Sequence, residues 1–308
     1  MGFKKGVDMF ANIFGSYLVR KNIITDDEFL TIKMEIDRTR VKLGLIAVSE
    51  KLMTEEQAEE VNMKQQLMDK KFGDIAISLG YLTDAQVDRL LSLQGNEYMR
   101  FCQSAVDRDI LTLEQIEGAL DYYKKENGFT FSDMEDIKSG DVDRILPLFL
   151  PEIPDGPFKD LMALTFRCIN RLASDDISIK RGYTTLSYRT GAVASQEIIG
   201  DYNVTTAFSG DDKGILAIAE AFAKQFFDEV GVDALDSVGE FINICDGLFT
   251  TAKSIEGMNL NLMPPMLSKD PMEISGSMTV VVPIFINQQP LDWVVSLGKV
   301  TKIEDSED

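Results

Sequence analysis

The chain has 308 residues, 44% of them apolar and 27% charged, with a net charge of −20 and no histidine. The length is enough for two domains with their own cores, and the composition is that of a globular protein. The charge argues against binding a nucleic-acid backbone, which needs clustered Lys and Arg. The missing histidine removes Ser-His-Asp and Cys-His catalysis and most zinc sites.

No apolar run reaches the roughly 18 residues of a membrane span. The opening Met1-Gly-Phe-Lys-Lys-Gly lacks the apolar segment of a secretory signal. A cytoplasmic protein is therefore expected. Cys102, Cys168 and Cys245 are far apart in apolar surroundings and read as reduced core residues, not as disulfides or metal ligands. There is no P-loop and no Gly-rich dinucleotide fingerprint. Chemistry here must run on carboxylates, amides or a partner's groups, with no metal or cofactor of the chain's own.

The first 125 residues carry a repeat. Thr25, Thr54, Thr83 and Thr112 recur every 29 residues, and Glu28, Gln57, Gln86 and Gln115 follow each by three. That is the capping box, with Thr at the helix N-cap and the third residue reaching back. Each unit predicts a short helix, a turn and a longer helix starting at the Thr. The first runs from Ile13 to about Ile36 and the fourth from Arg100 to about Tyr123. Units this short cannot bury their own faces, so the four must stack into one all-α domain.

The two middle units share more. Lys42-Leu43-Gly44 is followed by Gln65, and Lys71-Phe72-Gly73 by Gln94, with the same spacing. This pattern resembles the tandem-motif N-terminal domain of type II secretion and type IV pilus ATPases, some of which bind cyclic di-GMP. The resemblance implies Lys42, Gly44, Gln65, Lys71, Gly73 and Gln94 as ligand contacts. The family opens each motif with arginine where this chain has lysine, and the two are not equivalent in bidentate or stacked contacts. It also places leucines where Ala58 and Asn62 stand. The other reading is a packing scaffold whose glycines let helices approach.

Residues 126–155 look like an acidic, proline-rich linker. Asp and Gly cluster between Ser132 and Asp143, and Pro147, Pro151 and Pro154 follow. Leu146, Leu148, Phe149 and Leu150 among them suggest that part of the segment docks on a domain. The boundary is placed near residue 155.

Beyond it, residues 156–303 predict a second domain. Phe158 to Leu172 reads as a helix. Ile177–Tyr188, Ala192–Tyr202 and Val204–Phe208 read as strands. Asp211 to Val230 is a helix, and Val238 to Phe249 is another. Three strands follow, near Met258–Met263, Ser277–Ile286 and Trp293–Val300. This order suggests a two-layer α+β domain with an antiparallel sheet. Residues 304–308 read as a solvated acidic tail.

In the Val238–Phe249 helix, Val238, Phe241, Ile242, Cys245 and Phe249 recur at three- and four-residue steps and face a core. Glu240 and Asn243 are three apart and project together from the surface. One is an anion; the other donates and accepts hydrogen bonds. Glu-x-x-Asn also occurs at Glu59/Asn62, in a repeat helix, and at Glu256/Asn259, across an expected turn into a strand.

On this helix, the helix before it and the strand-rich end, the second half resembles the CheX/CheC/FliY chemotaxis phosphatases. The resemblance implies removal of phosphate from the receiver aspartate of a CheY-like response regulator. Glu240 would bond a receiver lysine, and Asn243 would orient the attacking water. The receiver would supply the phosphoaspartate and Mg²⁺. It also implies a homodimer. Family members with two sites carry a second pair on the first helix, where this chain has Arg167 and Asn170, so at most one site is expected. The alternative is a non-catalytic adaptor, or a cyclic di-GMP-responsive module, that uses the second domain to bind a partner or dimerise.

Overall fold

Each threonine of the 29-residue repeat caps a helix in the computed structural model, which describes residues 9–68, 70–174 and 176–302. The acidic tail and the first eight residues lie outside the described residues. The contacts divide the chain between Asp141 and Val142.

In the first unit a π-helical turn, Ala11–Gly15, leads into α1 (Ser16–Arg20) and α2 (Asp26–Ile36). The pattern repeats as α3 (Leu43–Ser49) and α4 (Glu55–Leu67), α5 (Phe72–Ser78) and α6 (Asp84–Leu93), then α7 (Glu97–Asp107) and α8 (Leu113–Asn127). All four boxes form reciprocally, so orphan N–H groups at each helix start are satisfied from both sides. The turns repeat as well. Asn22, Lys51, Gly80 and Asp109 all have φ between 53° and 75°. These four are again 29 apart. A left-handed residue is what ends the short helix and re-aims the chain, and only Gly80 takes it without a Cβ penalty. Phe10, Phe14, Tyr17, Phe101 and Tyr123 knit the outer units with edge-on and stacked rings.

The stretch expected as a linker is largely helical. A fifth capping box, Thr130 with Asp133, starts α9 (Phe131–Ser139), and Gly140 at φ 72° ends it. The next helix, α10 (Val142–Phe149), contains Pro147 and buries Ile145, Leu146 and Phe149. The Asp and Gly residues thus act as caps, and the apolar residues among the prolines anchor a helix. The division at 141/142 lies before this anchored helix, not near residue 155.

The second unit is α+β. After α11 (Pro157–Cys168) and a π-helical turn, Ile169–Ala173, come β1 (Ile177–Ile179), β2 (Tyr183–Arg189), β3 (Ala192–Gly200) and β4 (Val204–Gly210). Then follow α12 (Asp212–Ala223), α13 (Val232–Ile255), β5 (Leu260–Leu262), β6 (Met266–Ser268), β7 (Met272–Ile286) and β8 (Gln289–Lys302). All pairings are antiparallel, in the order β1-β7-β8-β4-β3-β5, with β2 also on β7 and β6 also on β3.

Some boundaries differ from expectation for local reasons. The strand expected over Ile177–Tyr188 breaks after Ile179, where the Gly182 amide donates to the Phe149 carbonyl at 2.7 Å. The helix expected to reach Val230 stops at Ala223, because Lys224 takes a left-handed cap at φ 56°. The Glu220 carboxylate then accepts from the Phe227 amide at 3.1 Å.

One face of the sheet carries the helices. Phe208 meets Phe241, and Phe166 stacks on Trp293 at 6.2 Å. The other face buries Val193, Ala207, Ile274, Val281 and Val294 together. Tyr188 of β2 and Met266 of β6, strands on opposite flanks of the sheet, pack against that same cluster. The sheet therefore curls, and its own edges cover the face that helices leave bare.

Candidate functional site

The long helix α13 lies on β3 and beside α12. Its inward residues Val238, Phe241, Ile242, Cys245 and Phe249 are at most 1% exposed. Burial of that stripe fixes the helix's rotation, and it turns Glu240 and Asn243 to the surface, where both are exposed. Glu240 makes no hydrogen bond or ion pair among the described residues. It is an anion free to meet a cation.

Asn243 is held from beneath. Its Oδ1 accepts from Gln196 Nε2 at 2.9 Å, and the same Nε2 donates to the Met263 carbonyl at 2.8 Å. Gln196 is 2% exposed. The Asn243 amide nitrogen is left pointing away from this contact. Glycines let the neighbouring chain close in. A Cβ on Gly239 would stand 3.0 Å from Leu267 and 3.3 Å from Pro265, so the Leu262–Leu267 segment runs against the helix beside the Glu–Asn pair. Exposed apolar side chains, Ile244 and Leu248 on α13 and Met263 next to it, border the pair. An acid and an amide rimmed by apolar surface can receive a polar loop of another protein.

One turn along, Asp246 is fully buried and its Oδ1 accepts from the Thr206 hydroxyl at 3.0 Å. Burial pushes its carboxyl up from 3.8 to about 8, against the lowering effect of the Thr206 hydrogen bond. Its Oδ2 is buried without a partner among the described residues, as suits a protonated acid. Sequence reasoning missed Gln196 and Asp246, yet a signal existed. Asp246 continues the inward series Ile242, Cys245, Phe249, and Gln196 alternates with Ala194 and Ile198 on the inward face of β3. A polar residue at an inward position is the cue.

The other Glu-x-x-Asn pairs are placed differently. Glu59 and Asn62 lie in α4 of the repeat unit, and Glu256 caps the end of α13 just before Gly257 at φ 93°. On α11, Arg167 is exposed and its Nη1 donates to Asp143 at 2.5 Å, while Asn170, in the π-helical turn that follows, is half-buried. That helix offers a cation where α13 offers an anion.

Within the repeat unit, Lys42, Gln65, Lys71, Gly73 and Gln94 line one cleft of about 930 Å³, together with Arg40. Gly44 lies on an adjacent cleft of about 640 Å³ that also touches Lys42. Several of these groups already have work. Gln94 donates to the Val41 carbonyl at 2.9 Å and Gln65 to the Lys70 carbonyl at 3.2 Å. Lys42 Nζ pairs with Asp107 at 2.8 Å. A Cβ on Gly73 would come 2.8 Å from Val87, and one on Gly44 would come 3.2 Å from Phe72, so both glycines permit close helix packing. Among the described residues, no group of three or more Cys, Asp or Glu could hold a metal ion. No helix among them is long and apolar enough to cross a membrane.

No family model matches the chain, and no curated protein sequence matches it. Solved structures do. A chemotaxis protein CheX from Desulfovibrio desulfuricans is 20% identical over 45% of this chain and 97% of its own, with a TM-score of 0.38. The chemotaxis protein CheX from Vibrio vulnificus is 14% identical over 46% of this chain and 96% of its own, at 0.36. A CheX–CheY–BeF3–Mg complex from Borrelia burgdorferi is 17% identical over 47% of this chain and 94% of that chain, at 0.33.

Proposed function

We propose that the second unit dephosphorylates the phosphoaspartate of a CheY-like receiver, using Glu240 and Asn243. The observation that carries this is their joint exposure on one rigid helix, three residues apart, with Asn243 held at its oxygen and free at its nitrogen. Glu240 would pair with a lysine of the receiver and so set the register of docking. The Asn243 amide would enter the receiver's site and hold a water in line with the phosphorus. The water oxygen forms the new P–O bond as the bond to the aspartate oxygen breaks. The carboxylate leaves as an anion, and the water's proton goes to the released phosphate. Such a transfer asks for placement and charge neutralisation, not for a covalent group. A neutral amide places water without repelling phosphoryl oxygens, and the receiver brings its own Mg²⁺. The test is phosphate release from a Mg²⁺-loaded phosphorylated receiver. A parent protein that leaves its decay unchanged refutes the reading.

A second reading concerns the repeat unit. The convergence of Arg40, Lys42 and Lys71 on one cleft, with Gly73 and two glutamines, supports binding of a cyclic dinucleotide such as cyclic di-GMP. Lys71 makes no ion pair among the described residues and is free to meet a phosphate. Calorimetric titration checks it: heat that disappears in a Lys42→Ala/Lys71→Ala variant supports the reading, and no heat with the parent removes it. The adaptor role belongs with this second reading; a homodimer goes with either. The exposed Tyr183 and Leu186 on β2 offer apolar surface for a second copy, and sedimentation at micromolar concentration would show a monomer if that is wrong.

A further inference from the structure

Beneath the Glu–Asn pair the interface between α13 and the sheet is apolar except for two adjoining contacts. Gln196 on β3 and Thr206 on β4 are register partners. Gln196 reaches Asn243, and Thr206 reaches Asp246, one helical turn on. Both hydrogens of the Gln196 amide have fixed uses. The Met263 carbonyl can only accept, so the nitrogen of Gln196 must face it. That leaves the same nitrogen facing Asn243, which must answer with its oxygen. The orientation of an exposed amide is thus dictated by a backbone carbonyl two contacts away.

The arrangement has a cost. Gln196 Oε1 is buried and has no partner among the described residues. An unsatisfied buried acceptor is destabilising, and a methionine would fill the same space without it. A glutamine in this place is a poor choice for packing and a good one for turning Asn243.

We propose that Gln196 is a positioning residue of the site, holding Asn243 so that its amide nitrogen, and not its oxygen, meets the visiting receiver. This rests on the phosphatase reading for its consequence, but not for its geometry. The outward NH2 offers two donors, one for the attacking water's oxygen and one for a phosphoryl oxygen. Reversed, the amide would present an acceptor to a dianionic transition state and lose both.

The experiment compares the full-length parent with Gln196→Met and Gln196→Glu. Each is assayed on a CheY-type receiver phosphorylated with acetyl phosphate in Mg²⁺. The Asn243 side-chain NH2 is followed in parallel by its proton exchange in nuclear magnetic resonance spectra. Gln196→Met frees the Asn243 amide and is expected to lower kcat about tenfold or more with KM within about twofold, as for a misplaced catalytic group. Gln196→Glu, read at a pH where its carboxyl is ionised, offers only acceptors, so the Asn243 amide flips. Its NH2 protons, exposed and fast-exchanging in the parent, become protected, and turnover falls further. A structural role alone would change neither the exchange nor kcat at constant KM. If the parent turns over and both variants match it, the positioning role is wrong and the phosphatase reading stands. If the parent never turns over, the phosphatase reading is wrong and the consequence of Gln196 for turnover goes with it. Unchanged exchange in Gln196→Glu overturns the geometry in either case. Should the glutamate variant not fold, the methionine variant, which removes the unsatisfied acceptor, decides on kcat alone.

Discussion

Gln196 and Thr206 sit opposite each other across β3 and β4, and each reaches up to a polar residue of the same helix, Asn243 and Asp246. The pair pins one turn of α13 against the sheet, directly under the exposed site. Most of that interface is apolar and could tolerate a small helix rotation; two hydrogen bonds one turn apart cannot.

Asp246 makes this pinning sensitive to pH. Its carboxyl, ordinarily titrating at 3.8, is pushed up to about 8 by burial. The folded state therefore keeps a proton that the unfolded chain releases between about pH 4 and pH 8. The stability from this group is whole below about pH 4 and is lost as pH rises to about 8. An Asp246→Asn variant keeps a neutral partner for Thr206 at every pH. It is expected to flatten the pH dependence and to exceed the parent by on the order of a few kcal/mol at pH 9. Trp293, the chain's single tryptophan, is buried in β8 and reports on this unit in urea titrations. Equal slopes for parent and variant would show that Asp246 is ionised in the fold.

The repeat turns carry a different liability. Lys51 holds φ at 55° where the equivalent residue of the next unit is Gly80. The left-handed conformation costs a residue with a Cβ roughly 1 kcal/mol relative to glycine. Lys51→Gly is expected to raise the melting temperature of the repeat unit by a few degrees, read by far-ultraviolet circular dichroism. A lowered value would show that the lysine makes a compensating contact.

The motif glycines separate packing from ligand binding. A methyl on Gly73 would meet Val87 at 2.8 Å, inside contact distance. Gly73→Ala is expected to destabilise the repeat unit by about 1–3 kcal/mol through overpacking. Gly44→Ala, where the nearest ring atom stands at 3.2 Å, should do so less. If Gly73→Ala leaves stability unchanged, the glycine is not a packing requirement.

The two site residues should divide the kinetics. Glu240 is proposed to act in docking, so Glu240→Ala should raise KM about tenfold while leaving most of kcat. Asn243→Ala should do the reverse. Both changes falling on KM would mean that Asn243 only binds.

Much of this was legible in the sequence, for identifiable reasons. The repeat was visible because its capping boxes recur in register, and local hydrogen bonds decide where those helices start. The outward pair was visible because the Val238–Phe249 stripe leaves only one face for Glu240 and Asn243. The helices over 131–149 were not, because Thr130 with Asp133 lies off the 29-residue period, and Pro147 reads as a breaker although Ile145, Leu146 and Phe149 anchor its helix. The curl of the sheet was hidden too. It brings β2 and β6 over one core from opposite flanks, a contact with no local signature. Gln196 and Asp246 each carry the cue of a polar residue at an inward position, but which partners they meet depends on strand register and helix packing, which have no local signature.

The most direct measurement is the decay of a Mg²⁺-loaded, phosphorylated CheY-type receiver with parent protein and with Asn243→Ala. The parent should accelerate the decay, and the variant should slow it by about a hundredfold toward the receiver's own rate, as when one placed group is lost. An Asn243→Ala protein that works as fast as the parent would contradict the account.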